Sequence, residues 1–344
     1  MAVTFRDMWY DLLSSVPRLP PPLAQTIINR AFSDIRDYRL WSWLVPTGYI
    51  VTPTAITSGT ITVVQGSPLI TPDATAAAAL NAVALANPPL ANAQVGIGRQ
   101  IRLSSQQSGT PGPLYNIIAY ANSIPQITVD RPYLEASGAG LGYSCYKAYY
   151  QAPPSDGTAT PDFLRYFTIT NSAVGYTIRR RKLYYTQSQL NGIDPQRGAT
   201  GDPYIIANYL DDPTTGNVVH EWYPHPVYQR SMTCIYQKRG LPLSDTNPPP
   251  LTLPSELIME RAYMRACQWA IKNVSNFPEL QQVNWVMAYN AHKQDFKESL
   301  IQAIKQDDEI SPLVAFQQGG VFDFPLGGAF LQNHDVSSLV GGLD

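Results

Sequence analysis

The spacing of hydrophobic residues predicts helices at both ends of the chain and strands between them. Spacings of three and four residues are clearest from Pro254 to Asp308. Pro278 interrupts this stretch and therefore predicts two successive helices, the second about 40 Å long at 1.5 Å per residue. We expect Ser255 to cap the first helix, with Glu256 in its first turn.

The first of these two helices has an apolar and a polar face. Its apolar residues are Met259, Ala262, Tyr263, Ala266, Ala270 and Val274, and its polar residues are Glu256, Glu260, Arg261, Arg265, Gln268 and Lys272. We expect the apolar set to be buried and the polar set to face water.

Two shorter amphipathic segments lie near the amino terminus. Thr4 is expected to cap the first helix together with Asp7, and this helix ends before Pro17. A second helical pattern begins in the proline cluster at 20–22 and continues to Leu40. Its apolar face makes it the expected partner of the carboxy-terminal helices.

Between these helices, the chain carries short runs of β-branched and aromatic residues bounded by glycine, proline and asparagine. Strands are predicted at 61–64, 98–103, 115–120, 126–130, 143–150, 163–170, 177–185, 204–208, 218–223 and 232–237. Asp73 predicts a capped helix over 74–85, and 187–203 is predicted to be a long loop. This arrangement is typical of sandwiches and barrels.

The elements together predict an α+β fold with four parts. The N-terminal helices (1–45) and the C-terminal helices (251–308) form a helical bundle, and a large antiparallel β body (46–250), sandwich- or barrel-like, is inserted between them. Residues 309–344 are predicted to be an extended docking arm rather than a floppy terminus. Phe316, Phe322, Phe324 and Phe330 stand there among glycine pairs without periodicity and are expected to dock on a neighbouring chain.

Composition narrows the possible functions. Charged residues make up 15% of the chain, against roughly a quarter in an average globular protein, and there are 21 tyrosines. This composition fits surfaces covered by other subunits, or equally a secreted β-protein with a neutral polar surface. The net charge of −2 argues against tight binding to nucleic acid, although it is compatible with a DNA conduit.

Targeting and redox signals are weak. The three cysteines have no short metal-ligand spacing, and their odd number is a poor disulfide framework. Asp7 and Asp11 interrupt the first apolar segment, so we expect no signal peptide, and no apolar run is long enough for a membrane span. Synthesis in a reducing cytoplasm is therefore expected, without export by the general route.

Catalytic and cofactor motifs are not found, so we expect neither an enzyme nor a cofactor. His220, Glu221 and His225 lack the four-residue spacing of zinc-protease histidines, and neighbouring prolines exclude a helix there. They are interpreted as residues of a loop or strand. Paired glycosidase carboxylates distant in sequence remain an open alternative.

The densest basic run falls on a predicted strand. It consists of Arg179, Arg180, Arg181 and Lys182. Such a run generally forms a solvated edge that discourages strand pairing. The alternative is a contact with DNA phosphates that reads no sequence.

The order of the segments is similar to that of a known protein family. The residues that carry the similarity are Ile35, Trp41, Trp43, Gly59 to Val64, Gly66, Val95, Gly96, Gly98, Arg99, Ile127, Val129 to Tyr133, Tyr143, Tyr146, Tyr150, Pro154, Asp162, Phe163, Asp194, Pro195, Gly201, Pro203, Tyr204 and Trp222 to Pro224, followed by the helices after Pro254. On these residues the chain resembles the head-to-tail connector proteins of tailed bacteriophages, also called adaptor, neck or head-completion proteins. The segment 74–85, the loop near Gln187 and the tail after Ser311 depart from the pattern.

The resemblance implies a structural virion protein in the neck. Identical chains, twelve in the usual case, would form a ring beneath the portal that extends the DNA channel, retains the genome and provides a platform for tail attachment. The expected partners are other copies of the chain, the portal protein, the next neck or tail protein, and double-stranded DNA in transient, non-specific passage. No membrane partner is expected. A ring has heterologous contacts, and a weakly charged channel lets DNA slide.

Three other functions remain as alternatives. A tail tube or baseplate adaptor protein would share the β body but have less need of long helices. A carbohydrate-binding surface module would use exposed tyrosine and tryptophan on strands. A glycan-cleaving enzyme is the third alternative.

Overall fold

The computed structural model describes residues 3–86, 98–105, 112–121, 124–151, 163–171, 173–178, 183–211 and 218–310. Its α-helices are α1 (Phe5–Ser15), α2 (Pro21–Tyr38), α3 (Ala74–Ala86), α4 (Gln187–Ile193), α5 (Ser255–Asn273) and α6 (Trp285–Ile310). Short 3-10 helices span Ser42–Leu44 and Pro278–Gln282. The chain forms two compact units, Met1–Pro46 with Arg239–Asp344, and Thr47–Lys238, which are named below the helical unit and the β unit.

The β unit contains three antiparallel sheets. Its strands are β1 (Thr47–Thr52), β2 (Ile61–Val63), β3 (Leu69–Pro72), β4 (Arg99–Leu103), β5 (Leu114–Ala121), β6 (Gln126–Val129), β7 (Gly138–Leu141), β8 (Tyr143–Lys147), β9 (Tyr149–Gln151), β10 (Phe163–Asn171), β11 (Tyr176–Ile178), β12 (Ile205–Asp211), β13 (Val218–Tyr223) and β14 (Arg230–Lys238). The sheet orders are β7-β2-β3-β6-β5-β4-β8, β1-β14-β10-β11 and β12-β13-β9. This mixture of helices with a curled antiparallel sheet body is an α+β fold.

The helical unit has one hydrophobic core to which both ends of the chain contribute. Ile28 and Phe32 of α2, Ala266 of α5, and Phe296 and Leu300 of α6 are all buried in it. Helices α2 and α5 contact each other, as do α5 and α6. Burial of these apolar faces stabilises the helices more than intrinsic propensity does.

An ion pair joins α2 to α5. Asp34 Oδ2 accepts hydrogen bonds from Arg261 Nε at 2.8 Å and Arg265 Nη2 at 2.6 Å. The prediction that Arg261 faces water is wrong, because only 5% of this residue is exposed. Its guanidinium also lies 5.6 Å from the centre of the Phe296 ring. Helical periodicity could not reveal this, since the charge is compensated by a residue on another helix.

The predicted helix starts are confirmed at two places. Thr4 and Asp7 form a capping box, in which Thr4 Oγ1 accepts from the Asp7 amide at 3.1 Å. Asp73 Oδ1 likewise accepts from the Ala76 amide at 2.7 Å. The prediction for Ser255 is wrong, because Pro254 holds the N-cap position of α5 without a side-chain hydrogen bond.

Several predicted boundaries differ from the structure. The loop 187–203 contains helix α4, whose capping box is formed by Thr186 and Gln189. The stretch after Pro278 begins as a 3-10 helix, and α6 starts only at Trp285. The described part of the predicted strand 177–185 is a strand only to Ile178. Strands β1, β3 and β7 were not predicted because they are short and rich in threonine, proline or glycine.

The segment after β14 belongs to the helical unit, although the sequence analysis placed it in the β body up to residue 250. Leu243 is buried in the helical core. Its amide donates to Asn29 Oδ1 at 2.7 Å, and its carbonyl accepts from Asn29 Nδ2 at 3.2 Å. These two bonds attach the proline-rich segment to α2.

We predict that Asp34→Asn lowers the free energy of unfolding of the helical unit by about 2 kcal/mol, because it leaves the buried Arg261 charge without its partner. Tryptophan fluorescence during urea unfolding reports mainly on this unit, since it contains Trp9, Trp41, Trp43, Trp269 and Trp285 of the six tryptophans.

The matched control is Asp37→Asn on the same helix. The Asp37 side chain is 65% exposed, and its one ion-pair partner among the described residues is the adjacent Arg36, so the loss should stay below about 0.5 kcal/mol. Equal losses for the two substitutions would contradict the assignment of Asp34 as the link between α2 and α5.

Candidate functional site

Both sets of residues that the sequence singled out lie outside the described residues. These are the four phenylalanines Phe316, Phe322, Phe324 and Phe330, and the basic run Arg179, Arg180, Arg181 and Lys182. The docking arm and the basic run therefore stay predictions.

The structure does place His220, Glu221 and His225. Strand β13 carries His220 and Glu221, and His225 follows it, in agreement with their interpretation as strand or loop residues. Glu221 Oε1 accepts a hydrogen bond from Arg197 Nε at 2.7 Å and lies 3.5 Å from His225 Nε2. All four residues, including Arg197, are at least nine-tenths buried.

Helix α4 and the turn after it hold Arg197 in position. Arg197 has a left-handed backbone, with φ at 52°. Its Nη1 donates to the Asp194 carbonyl at 2.6 Å, and its Nη2 donates to Gln187 Oε1 at 3.2 Å. The Asp194 carboxylate accepts from the Tyr223 hydroxyl at 2.7 Å and thereby ties this turn to β13.

A second arginine extends the network to the seven-stranded sheet. Arg102 of β4 donates to the carbonyls of Gln196 at 2.7 Å and Arg197 at 2.6 Å. It also donates to the Tyr146 hydroxyl at 3.1 Å, and the Tyr146 ring stacks on His225 with centroids 4.8 Å apart. The network therefore connects α4, β4, β8 and β13 within the β unit.

The charges of this network are determined by burial and by Arg197. Burial alone would raise the pKa of Glu221, but the nearby His225 ring, the hydrogen bond from Arg197 and the Arg197 charge lower it below the ordinary value. Burial lowers the pKa of His225 despite the opposing effect of Glu221, and it lowers the pKa of His220 to about 3. At neutral pH Glu221 is thus ionised, and His220 and His225 are neutral.

These contacts hold α4, β4, β8 and β13 together within the β unit. A general base must be within hydrogen-bond reach of a substrate. Glu221 and His225 are 2% and 0% exposed, so a substrate cannot reach either side chain in this structure. No local sequence pattern indicates the role of Arg197, because its partner lies 24 residues away on another element. The capping box of Thr186 and Gln189 would have revealed α4, which positions it.

Helices α5 and α6 bring together one group of metal-ligand types within the described part of the chain. The ligand atoms of Glu260, His292 and Asp295 all lie within 4.8 Å of one another. His292 Nδ1 is 2.7 Å from Glu260 Oε2, and the His292 ring stacks on Tyr263 at 4.7 Å. These contacts join the two helices, and the sequence analysis missed them because the residues are distant in sequence.

Exposed apolar residues mark surfaces available to partners. On the helical unit, Leu251 is 93% exposed and Met287 is 72% exposed. On the β unit, Tyr49 and Val51 project from the same face of the edge strand β1, and they are 67% and 54% exposed. Among the described strands β1 is at the edge of its sheet, and an edge strand can pair with another chain.

The tyrosines are distributed differently from the expectation of a tyrosine-rich surface. Nine are buried in the β unit: Tyr115, Tyr133, Tyr143, Tyr146, Tyr149, Tyr150, Tyr166, Tyr223 and Tyr236. Their number therefore says more about the β core than about contacts between subunits. The three cysteines are also buried and are free thiols.

Comparisons with known proteins give no assignment. No protein-family model, no curated protein and no solved structure matches the chain. Across the described residues, every helix is too short or too polar to cross a membrane.

We predict that the β unit loses stability as pH falls from about 6.5 to about 3. The unfolded chain protonates its histidines near pH 6.5, whereas burial keeps His220 neutral until about pH 3, so protons bind preferentially to the unfolded state in this window. One such histidine changes the free energy of unfolding by about 1.4 kcal/mol per pH unit.

His220→Phe should reduce this slope, because the ring lies against Phe163 and Tyr166 and its Nδ1 has no hydrogen-bond partner among the described residues. Hydrogen exchange of β13 peptides between pH 4 and 7, corrected for intrinsic rates, measures it. His292→Gln in the helical unit is the control and should leave the β13 slope unchanged. An unchanged slope in His220→Phe would contradict the prediction.

Proposed function

We propose that the protein is a head-to-tail connector of a tailed bacteriophage, a structural virion protein of the neck. Identical chains, twelve in the proposed assembly, form a ring under the portal. The ring extends the DNA channel, helps to retain the genome and provides the platform for tail attachment. The proposal includes no enzymatic activity and no cofactor.

The observation that carries the proposal is the position of the β unit within the sequence. The chain leaves the helical unit after Pro46 and re-enters it at Arg239, while residues of α1, α2, α5 and α6 share one core. This is the order of segments on which the resemblance to connector proteins rests. In the proposal the helices form a bundle that holds the portal and neighbouring chains, and the β body faces the tail.

The exposed apolar residues give the proposed ring a physical basis. A ring of identical chains needs two different faces on each chain that fit one another. Leu251 and Met287 on the helical unit, and Tyr49 and Val51 on β1, are apolar side chains that would be covered in such an assembly. We propose that the phenylalanines of residues 311–344 insert into apolar pockets of a neighbour or of the portal.

Ring formation can be tested with the purified protein. Native mass spectrometry and negative-stain electron microscopy, with and without purified portal, should show a closed ring of identical chains. A chain that remains monomeric alone and also in the presence of the portal would contradict the proposal.

A second prediction concerns the arm. Deletion of residues 311–344 should weaken binding to the portal or to a neighbour at least tenfold, and it should leave the urea midpoint of the helical unit unchanged. The reason is that the described core residues of α6 extend only to Ala303 and Ile304. Sedimentation and portal pull-down measure the first effect, and tryptophan fluorescence measures the second.

Substitutions in the arm test whether docking depends on its phenylalanines or only on its length. Changing Phe316, Phe322, Phe324 and Phe330 to Ser should reproduce the loss, whereas changing Gln317 and Gln318 to Ser should not. If the deletion unfolds the helical unit, or if the two sets of substitutions act alike, the arm is not a docking segment.

A tail tube or baseplate adaptor protein is the closest alternative, because the β unit would suit it equally. A carbohydrate-binding module is the alternative of another class, and one observation favours it. Tyr204 and Tyr228 of the β unit are exposed, at 38% and 54%, and tyrosine rings are suited to stacking on sugars. A glycan array on which no sugar binds would remove this alternative.

A further inference from the structure

Arg99 is a buried cation that the network described above does not include. It lies on β4 and is 3% exposed. Because side chains alternate along a strand, it shares a face with Ile101 and Leu103, which belong to the core beneath α3. Within the described part of the chain, its Nε, Nη1 and Nη2 have no hydrogen-bond partner, and Arg99 takes part in no ion pair.

A second cation lies directly opposite. Lys147 of β8 is the register partner of Arg99, and directly opposite residues of adjacent strands project to the same face. Burial and the Arg99 charge lower the pKa of Lys147 to about 8. The Lys147 ammonium lies 5.2 Å from the centre of the Tyr150 ring, whose hydroxyl is also buried without a hydrogen-bond partner among the described residues.

The neighbouring thiol cannot neutralise these charges. Cys145 is fully buried on the same face, and burial raises its pKa to about 11, so it is uncharged at neutral pH. A guanidinium stays protonated in proteins, and a buried charge without a partner is strongly destabilising. Arg99 therefore requires an anion that the described residues do not supply.

A cavity beside Arg99 limits the size of that anion. Its walls are Ile56, Leu80, Val83, Arg99, Ile117, Tyr120 and Ile127. The volume is about 10 Å³, close to the minimum for one water-sized body. A sulfate or phosphate is too large, whereas a monatomic anion is only slightly larger than water and requires only small shifts of the six other wall residues, which provide a largely apolar surround.

We propose that Arg99, together with Lys147, forms a binding site for a monatomic anion of the chloride class inside the β unit. The guanidinium donates to the anion, and the adjacent ammonium adds a second positive charge. The anion removes the cost of a buried guanidinium that has a second, partly buried cation beside it. This inference does not depend on the proposed function.

Chloride dependence of local stability tests the site. Hydrogen exchange of β4 and β8 peptides is measured in sodium chloride against sodium gluconate at equal ionic strength. For one site, a tenfold rise in chloride above its Kd raises the folded-to-unfolded ratio about tenfold, and exchange slows by the same factor.

Two variants assign the effect to Arg99. Arg99→Met keeps an unbranched side chain and removes the charge, so its exchange should not depend on chloride. Arg131→Met removes a charge from the same unit at a side chain that is 54% exposed, and it should keep the chloride dependence. Equal slowing in Arg99→Met, or the absence of slowing in the natural chain, would overturn the proposal.

Bromide provides a measurement that does not depend on the variants. Crystals of the natural chain grown in sodium bromide should give an anomalous peak within hydrogen-bond distance of the Arg99 guanidinium. A water molecule there without anomalous signal would mean that the cavity is hydrated and that the anion site does not exist.

Discussion

The fold depends on one constraint: both ends of the chain pack into the same hydrophobic core. Helix α2 from the beginning of the chain lies against α5 from near its end, and Asp34 joins Arg261 and Arg265 across this contact. The segment between Pro46 and Arg239 therefore begins and ends at the helical unit, as a loop does. The β unit reduces the entropic cost of that closure, because β1 pairs with β14, and Thr47 lies opposite Ile235.

The β unit contains buried charged side chains. Glu221 and Arg197 are buried as a pair, and α4 together with the turn after it accepts hydrogen bonds from the remaining nitrogens of the arginine. Such a pair contributes less to stability than its distance suggests, because both groups lose their hydration. Its effect is to fix α4 against β13. Arg99 lies in the same unit without an equivalent partner among the described residues, so the two arginines differ in what neutralises them.

The sequence predicted local features well and distant pairings poorly. Helices α1, α2 and α3 followed from periodicity and from the capping residues Thr4 and Asp73, which act within three residues of themselves. Arg261 was placed on the wrong face because its partner is on another helix. The connections of Arg197, Glu221 and Arg102 cross sheets, and no spacing in the sequence encodes them.

The most direct test of the central claim is electron microscopy of lysates from a phage with a nonsense mutation in this gene. The proposed connector role predicts tailless heads, or heads that have lost their DNA, beside free tails. Filled and tailed particles that lack only an outer appendage would contradict it, and they would assign the chain to the tail tip or to a host-binding module.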